Sequence, residues 1–336
     1  MSISGFNRTF GLARGVKAFL TRKRVKSKRR EFRRISNELH AAKSRAERIK
    51  HKKRKKTVQQ EIFQLQRELR AAEVRRTEGE PETGALPDFA IIGGKKCGTT
   101  SLYHLLTQHP HVEHAAAKEV HFFNTLFDQG TAWYRRCFPP PRWKEGRRTI
   151  TGEATPEYLS CPPAPRRMAK VIPQARLIAL LRNPVDRAYS DYQQVVRKGR
   201  ETRTFKEAIG MEEARPPVRG AATSKRKDRV GLDGASRGYL SKGIYVDQLM
   251  RWSRFFGDDQ MLVLKSEDFF ERPAQTLKVV LDFLELPREW EPPAWEVRNK
   301  GDYEQKMDPE IRRWLEEYFE AHNRRLYEYL GVDFGW

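Results

Sequence analysis

The alternation of apolar and polar residues divides the chain into a helical N-terminal part and a longer part of mixed character. Between Glu31 and Arg76 there is no proline and no glycine, and apolar residues recur at steps of four and three. This heptad spacing predicts helices with a narrow apolar seam. The seam runs in two registers separated by the basic cluster 51–56, which predicts one or two basic helices. The registers are Ile35, Leu39, Ala42, Ala46, Ile49 and Val58, Ile62, Leu65, Leu69, Ala72.

Beyond residue 80 the pattern changes to short apolar runs that alternate with helical segments. A linker at 81–87 contains glutamate, glycine and proline, and residues 88–336 follow as one folded domain. Continuous apolar runs predict buried parallel strands, and strands alternating with helices predict an α/β domain. We therefore predict a three-layer α/β fold with a mostly parallel central sheet and a basic helical N-terminal extension. The predicted strands are 89–92, 177–181 and 261–264, and the predicted later helices are 275–286 and 309–330.

The formal net charge of +22 is concentrated at the N-terminus. Residues 1–80 contain 25 Lys and Arg against 8 Asp and Glu, a net charge of +17, and the remaining residues carry +5. Such a basic helical segment predicts an anionic membrane surface or a coiled-coil partner as its ligand, and nucleic acid is a less favoured alternative. A membrane or nucleic-acid scaffold is thus a rival function. A solvated helix with no partner explains the same pattern.

The cysteines and the hydropathy pattern bear on the compartment. Cys97, Cys137 and Cys161 are few, odd in number and not spaced as metal ligands, which disfavours a disulfide framework and indicates a reducing environment. No apolar run reaches the roughly 18 residues that a membrane span requires. The segment Phe6–Leu20 is interrupted by polar residues and does not resemble a signal peptide. We expect a cytoplasmic protein that can lie peripherally at a membrane.

The first segment with chemical content is a glycine-rich turn after the strand 89–92. It reads Gly93-Gly94-Lys95-Lys96-Cys97-Gly98-Thr99, and a helical pattern follows. A strand, a glycine turn and a helix N-terminus form an anion site, because backbone N–H groups and the helix dipole face the ligand. The glycine spacing matches a P-loop, but Thr99 stands where the P-loop lysine belongs. A nucleotide kinase or NTPase is therefore a rival function, although this sequence lacks the lysine that is the signature of those enzymes.

A second anion-binding segment follows the predicted strand 177–181. Arg182 lies at the carboxyl end of this strand, where open α/β sheets bind ligands. Asn183 can cap a helix, and Pro184 suits its first turn. Ser190 comes seven residues after Asn183, so the two residues share one face of that helix. An arginine fork and a hydroxyl group that converge in this way suit a phosphate.

At this point the sequence resembles the sulfotransferases that use 3′-phosphoadenosine 5′-phosphosulfate (PAPS), and is most similar to the heparan sulfate and carbohydrate branch with its bacterial relatives. The segment Lys96–Ser101 resembles their 5′-phosphosulfate loop. Four further segments recur in the same order, and the resemblance covers about residues 88–336. These segments are Lys118–Phe123, Gly152–Tyr158, Leu180–Tyr192 and Asn299–Gly301.

The resemblance implies transfer of a sulfuryl group from PAPS to a hydroxyl or amine of a carbohydrate-like acceptor, with no metal. It implies Glu119 as the general base, with His121 as the alternative, and Lys96 as the group that stabilises the leaving oxygen. Lys95 is interpreted as a surface charge. The cofactor-binding residues implied are Lys96, Cys97, Gly98, Thr99, Thr100, Ser101, Arg182, Ser190, Lys300 and Gly301.

The sequence does not identify the acceptor. Ala154 stands where several heparan sulfate enzymes carry a lysine, and Asp302 stands where they often carry a basic residue. The cysteine pair found near the C-terminus of several of them is also absent. Residues 199–238 are predicted to be a basic loop, either a lid over an anionic acceptor or an insertion without a role.

Overall fold

The structure is a computed structural model that describes single positions between Thr21 and Glu68 and three continuous segments, residues 84–213, 238–295 and 306–336. Lys300 and Gly301 lie outside the described residues, as does most of the predicted basic loop. The chain divides into two compact units. One unit comprises Met1–Pro81 and Gln194–Arg237, and the other comprises Glu82–Gln193 and Gly238–Trp336.

A parallel sheet forms the centre of the second unit. Its five strands lie in the order β2, β5, β1, β6, β7, with every neighbouring pair parallel, and β3 and β4 form a separate antiparallel pair. The predicted α/β class is thus confirmed. The strands are β1 (Phe89–Gly93), β2 (Val112–Glu113), β3 (Trp143–Lys144), β4 (Arg147–Arg148), β5 (Ile150–Ala154), β6 (Arg176–Leu181) and β7 (Met261–Lys265).

Helices connect and cover these strands. In the described part of the chain, no helix is both long and apolar enough to cross a membrane. The last helix has the bounds predicted from its pattern. Asp308 caps it by accepting a hydrogen bond from the Glu310 amide, at 2.8 Å. The helices are α1 (Thr99–Leu106), α2 (Gly130–Arg135), α3 (Ala164–Val171), α4 (Pro184–Arg197), α5 (Phe205–Glu213), α6 (Tyr245–Trp252), α7 (Ser266–Glu271), α8 (Pro273–Phe283) and α9 (Pro309–Leu330).

The hydrophobic core lies between the sheet and the helices α1 and α8. Strand side chains from β1 and β6 pack with leucines of α1 and with aliphatic side chains of α8. All five residues of β1 are buried, as the continuous apolar run predicts. Each aliphatic side chain that is fully buried in this way stabilises the fold by about 1.5–3 kcal/mol. The core fixes β1 and α1, and therefore the turn between them.

A buried arginine joins two distant parts of the second unit. Arg187 on α4 is 0% exposed, and its guanidinium donates a hydrogen bond to the Tyr239 carbonyl oxygen. The same side chain lies 3.5 Å from the Asp191 carboxylate, one helical turn further on. The contact connects α4 to the segment that begins at residue 238.

The described positions of the N-terminal part are helical and contact one another. Phe32 and Ile35 are buried together with Val58 and Ile62. The Lys28 ammonium lies 2.6 Å from the Glu61 carboxylate. The two predicted apolar registers therefore supply residues to one shared cluster within this chain.

Candidate active site

The turn between β1 and α1 has the geometry of an anion cradle. Gly98 adopts a φ of 91° immediately before α1, and a Cβ atom at this position would lie 2.8 Å from the Phe270 ring. Glycine is therefore required both by the backbone conformation and by the space available. The Ser101 amide donates to the Gly98 carbonyl oxygen at 2.9 Å, so the amides of Thr99 and Thr100 are those that the first turn of α1 leaves for a ligand. This positive helix end is where the sequence predicts the phosphosulfate to bind.

The side chain of Cys97 packs inside the domain. Its Sγ atom lies 3.9 Å from the Tyr245 hydroxyl, and the residue is 0% exposed. Burial raises the pKa of the Cys97 thiol to about 11, so the thiol is neutral near neutral pH. The Cys97 amide donates to the Gly94 carbonyl oxygen at 3.2 Å, so it is bonded within the turn itself.

Arg182 and the loop meet in the structure. Arg182 follows β6, and its Nη1 lies 3.5 Å from the carbonyl oxygen of Lys96. Asn183 caps α4 as its sequence position predicts, since its Oδ1 accepts a hydrogen bond from the Val185 amide at 3.0 Å. Ser190 lies further along α4 and is buried. Two of the predicted cofactor contacts, Lys96 and Arg182, are thus neighbours.

Glu119 and His121 lie side by side in a loop and not on a strand. Both lie in a loop with positive φ values, 63° and 59°. The Glu119 Oε2 atom lies 3.4 Å from His121 Nε2, and its Oε1 lies 3.0 Å from the Lys118 ammonium. The left-handed backbone, rather than strand alternation, brings the two side chains together. Sequence alternation alone does not reveal this conformation.

The charges around Glu119 set its protonation state. Burial by itself raises the pKa of this carboxyl, but the His121 imidazole and the Lys118 ammonium outweigh that effect and lower the pKa to about 2. Glu119 is therefore ionised across the physiological pH range. Its side chain is 36% exposed, whereas that of His121 is 7% exposed. A ligand entering from solvent reaches the Glu119 carboxylate more readily than the imidazole.

A buried carboxylate supports the loop that carries His121. The His121 amide donates to Thr155 Oγ1 at 3.3 Å, and the Thr155 hydroxyl donates to Glu153 Oε2 at 2.6 Å. Tyr134 and Tyr158 donate to the same carboxylate at 2.6 Å and 3.1 Å. Burial raises the pKa of the Glu153 carboxyl above its ordinary value. Sequence reasoning gave no role to Tyr134, Glu153, Thr155 or Tyr158. The last three of these residues belong to the recurring segment Gly152–Tyr158.

Lys95 is not the surface charge that the sequence suggested. Its ammonium lies 3.0 Å from the Asp191 carboxylate and 3.9 Å from Glu157. Burial, together with the Lys95 charge, lowers the pKa of the nearby Lys242 ammonium to about 8. Glu157, Asp191 and Lys242 were all missed at the sequence level, because nothing in their spacing places them beside the loop.

Glu157 connects the loop to the Glu119–His121 pair. One ligand atom from each of Glu119, His121 and Glu157 lies within 4.8 Å of the others. Two carboxylates and an imidazole form a donor set that can hold a metal ion. That the reaction needs no metal ion therefore stays a prediction. The geometry places an ionised carboxylate, an imidazole and the anion cradle in one continuous site, linked through Lys95.

Known proteins are similar to this chain over most of its length. One relative is human heparan sulfate glucosamine 3-O-sulfotransferase 3B1, which is 33% identical to this chain. The match covers 75% of this chain and 65% of the relative, so the chain spans about two thirds of that relative's length. Human heparan sulfate glucosamine 3-O-sulfotransferase 6 is 31% identical over 76% of this chain and 75% of its own length.

A solved structure agrees with these relatives. The crystal structure of a sulfotransferase from Alicyclobacillus acidocaldarius is 30% identical, covers 74% of this chain and 97% of its own, and superposes with a TM-score of 0.59. The family model described as the sulfotransferase domain matches residues 86–314, which include the cradle, Arg182 and the Glu119–His121 pair. The chain therefore belongs to the sulfotransferase domain family.

Proposed function

We propose that this protein transfers the sulfuryl group of PAPS to a hydroxyl or amine group of a carbohydrate. The observation that carries the proposal is the row of charged groups running from Glu119 and His121 through Glu157 to Lys95 in the anion cradle. The printed names of the human relatives supply the acceptor class, a heparan sulfate-like glycan.

The residues of the cradle fit the charged groups of PAPS. When bound, PAPS supplies a sulfuryl group whose bond to a phosphate oxygen breaks as the acceptor oxygen or nitrogen bonds to sulfur. The tight glycine turn and the amides at the start of α1 would hold the 5′ end, together with the hydroxyls of Thr99, Thr100 and Ser101. Arg182 and Ser190 would hold the 3′-phosphate. Lys300 and Gly301 are proposed to contact the nucleotide as well.

Glu119 is our candidate for the general base. Its carboxylate is ionised and is the more exposed member of the Glu119–His121 pair. An acceptor hydroxyl that displaces Lys118 from this carboxylate would raise the pKa of Glu119, because the Lys118 charge is one of the influences that lower it. The proton of the acceptor then moves to Glu119, with the His121 imidazole 3.4 Å away as a second acceptor.

The two loop lysines have different surroundings, which suggests different roles. Lys95 lies between Asp191 and Glu157, so its charge is balanced by two carboxylates. Lys96 lies at a φ of 72° in the turn, and its carbonyl oxygen contacts Arg182. We assign stabilisation of the leaving oxygen to Lys96, since positive charge beside a developing negative charge lowers the barrier to group transfer.

The test combines calorimetry with the desulfated nucleotide and turnover with labelled PAPS on heparan sulfate. Glu119→Gln is expected to abolish turnover and to leave nucleotide affinity unchanged, whereas Lys96→Ala and Arg182→Ala are expected to weaken nucleotide binding. Glu316→Gln, a change at an exposed glutamate of α9, serves as the control. Undetectable binding at millimolar nucleotide would overturn the proposal. Unchanged turnover in Glu119→Gln would indicate that His121, and not Glu119, is the general base.

A further inference from the structure

The N-terminal helical residues present a row of positive charges on one face. Lys23, Lys26, Arg30 and Arg34 are all exposed and recur at steps of three, four and four. This spacing places them on one side of a helix. At 1.5 Å per residue the row extends for about 16 Å. We call these four residues the basic stripe.

The opposite face of the same helical residues is covered within the chain. Val25, Phe32 and Ile35 are buried, and the last two pack against Val58 and Ile62. Ion pairs flank this cluster, from Lys28 to Glu61 at 2.6 Å and from Arg54 to Glu31 at 3.4 Å. The described residues of the apolar seam therefore have their partners inside this protein. The basic stripe is the face turned to solvent, where Arg34 lies 3.6 Å from the Glu38 carboxylate.

The chemistry of the stripe restricts the kind of partner that fits it. Repeated charges over about 16 Å suit an extended polyanion better than a single small anion. Among the described N-terminal positions, the aromatic ring of Phe32 is buried and offers no platform for stacking a base. Within the same positions, the large apolar side chain exposed is that of Ile49, so no apolar face accompanies the stripe into a bilayer.

We propose that the basic stripe binds the sulfated glycan on which the catalytic domain acts. This inference rests on the proposed function, because it takes the polyanionic acceptor as the stripe's ligand. The stripe and the catalytic domain belong to one chain, so a long glycan held by the stripe stays near the catalytic domain, which raises its effective concentration there. A short oligosaccharide that fills only one of the two sites gains nothing. The contact is electrostatic and weakens as salt screens it.

The experiment compares the full-length protein with the triple variant Lys26→Gln, Arg30→Gln, Arg34→Gln. Glutamine keeps a similar helix propensity, so helix content measured by circular dichroism should stay the same. The matched control neutralises three exposed bases of the catalytic unit, Arg254, Lys306 and Arg313. We expect the stripe variant alone to elute from immobilised heparan sulfate at lower salt. Its KM for long heparan sulfate chains should rise about tenfold, with the KM for a short oligosaccharide unchanged.

The outcomes separate this inference from the proposed function. No turnover by the unmodified protein on any glycan would defeat the proposed function, while the elution experiment would still test the stripe. Equal elution of the stripe variant and the control would overturn the inference, as would an equal rise in KM for long and short acceptors. If the stripe variant lost binding to duplex DNA or to phosphatidylserine vesicles but kept its binding to heparan sulfate, the inference would be overturned in favour of those polyanions.

Discussion

Replacing Thr155 by valine tests whether the buried network beneath His121 supports catalysis. Valine matches threonine in shape and carries a methyl group in place of the hydroxyl. The hydroxyl donates to Glu153 at 2.6 Å and accepts from the His121 amide at 3.3 Å, in a residue that is 0% exposed. A lost bond to a carboxyl group and an amide left without its acceptor should together destabilise the fold by about 2–3 kcal/mol.

The variant should also impair turnover more than nucleotide binding. His121 holds a φ of 59°, a conformation that costs a residue with a side chain about 1–2 kcal/mol. The bond to Thr155 helps to maintain that conformation, and with it the 3.4 Å contact between His121 and Glu119. Small displacements of reacting groups are costly, so kcat should fall about tenfold or more while affinity for the desulfated nucleotide is unchanged.

Thr151 on β5 provides the matched control. Its buried hydroxyl donates to the Glu113 carbonyl oxygen at 3.1 Å and makes no contact with His121. Thr151→Val should destabilise by about 1 kcal/mol and leave kcat intact. Thermal unfolding and single-turnover rates measure both effects, with the midpoint shifting about 2–4 °C for each kcal/mol. Equal effects of the two substitutions on stability and on turnover would refute the reasoning.

Three other predictions follow from the site. If Glu119 is the base, its pKa of about 2 in the free protein means that it remains deprotonated as the pH falls from 8 to 5, so kcat/KM, which reports the free enzyme, should stay flat; a decline of kcat/KM across this range would indicate an imidazole base instead. Gly98→Ala should weaken nucleotide binding about tenfold or more by calorimetry. Gly130→Ala, at a φ of 81° with open space around its Cβ, should not, and equal binding by both would contradict the cradle geometry. Brief labelling with iodoacetamide should modify the partly exposed Cys161 and spare the buried Cys97; mass spectrometry showing equal rates would be inconsistent with the raised thiol pKa.

The parts of the site that could be predicted from sequence are local or lie at strand ends. The turn at Gly93–Gly98 and the cap at Asn183 depend on residues next to one another in the chain. Arg182 follows from the general position of ligands at the carboxyl ends of parallel strands. Since these rules act over a few residues, a single sequence suffices to apply them.

The parts that could not be predicted depend on packing between distant segments. Lys95 and Lys96 are adjacent, and no spacing rule tells which of them pairs with Asp191, which lies nearly one hundred residues further along. The positive φ value of His121 is stabilised by the Thr155 hydroxyl, which belongs to the loop after β5. This tertiary contact favours a left-handed loop, and no pattern of alternation along the chain reports it.

The buried contact between Arg187 and Tyr239 fixes the two ends of the intervening chain independently of its length. Because the closure entropy of a flexible loop rises only by about 0.6 kcal/mol when its length doubles, residues added or removed after the end of α4 and before Tyr239 would cost the sheet little. Ser190 and Asp191 lie on α4 itself, so such changes in chain length would leave both residues in place beside the anion cradle.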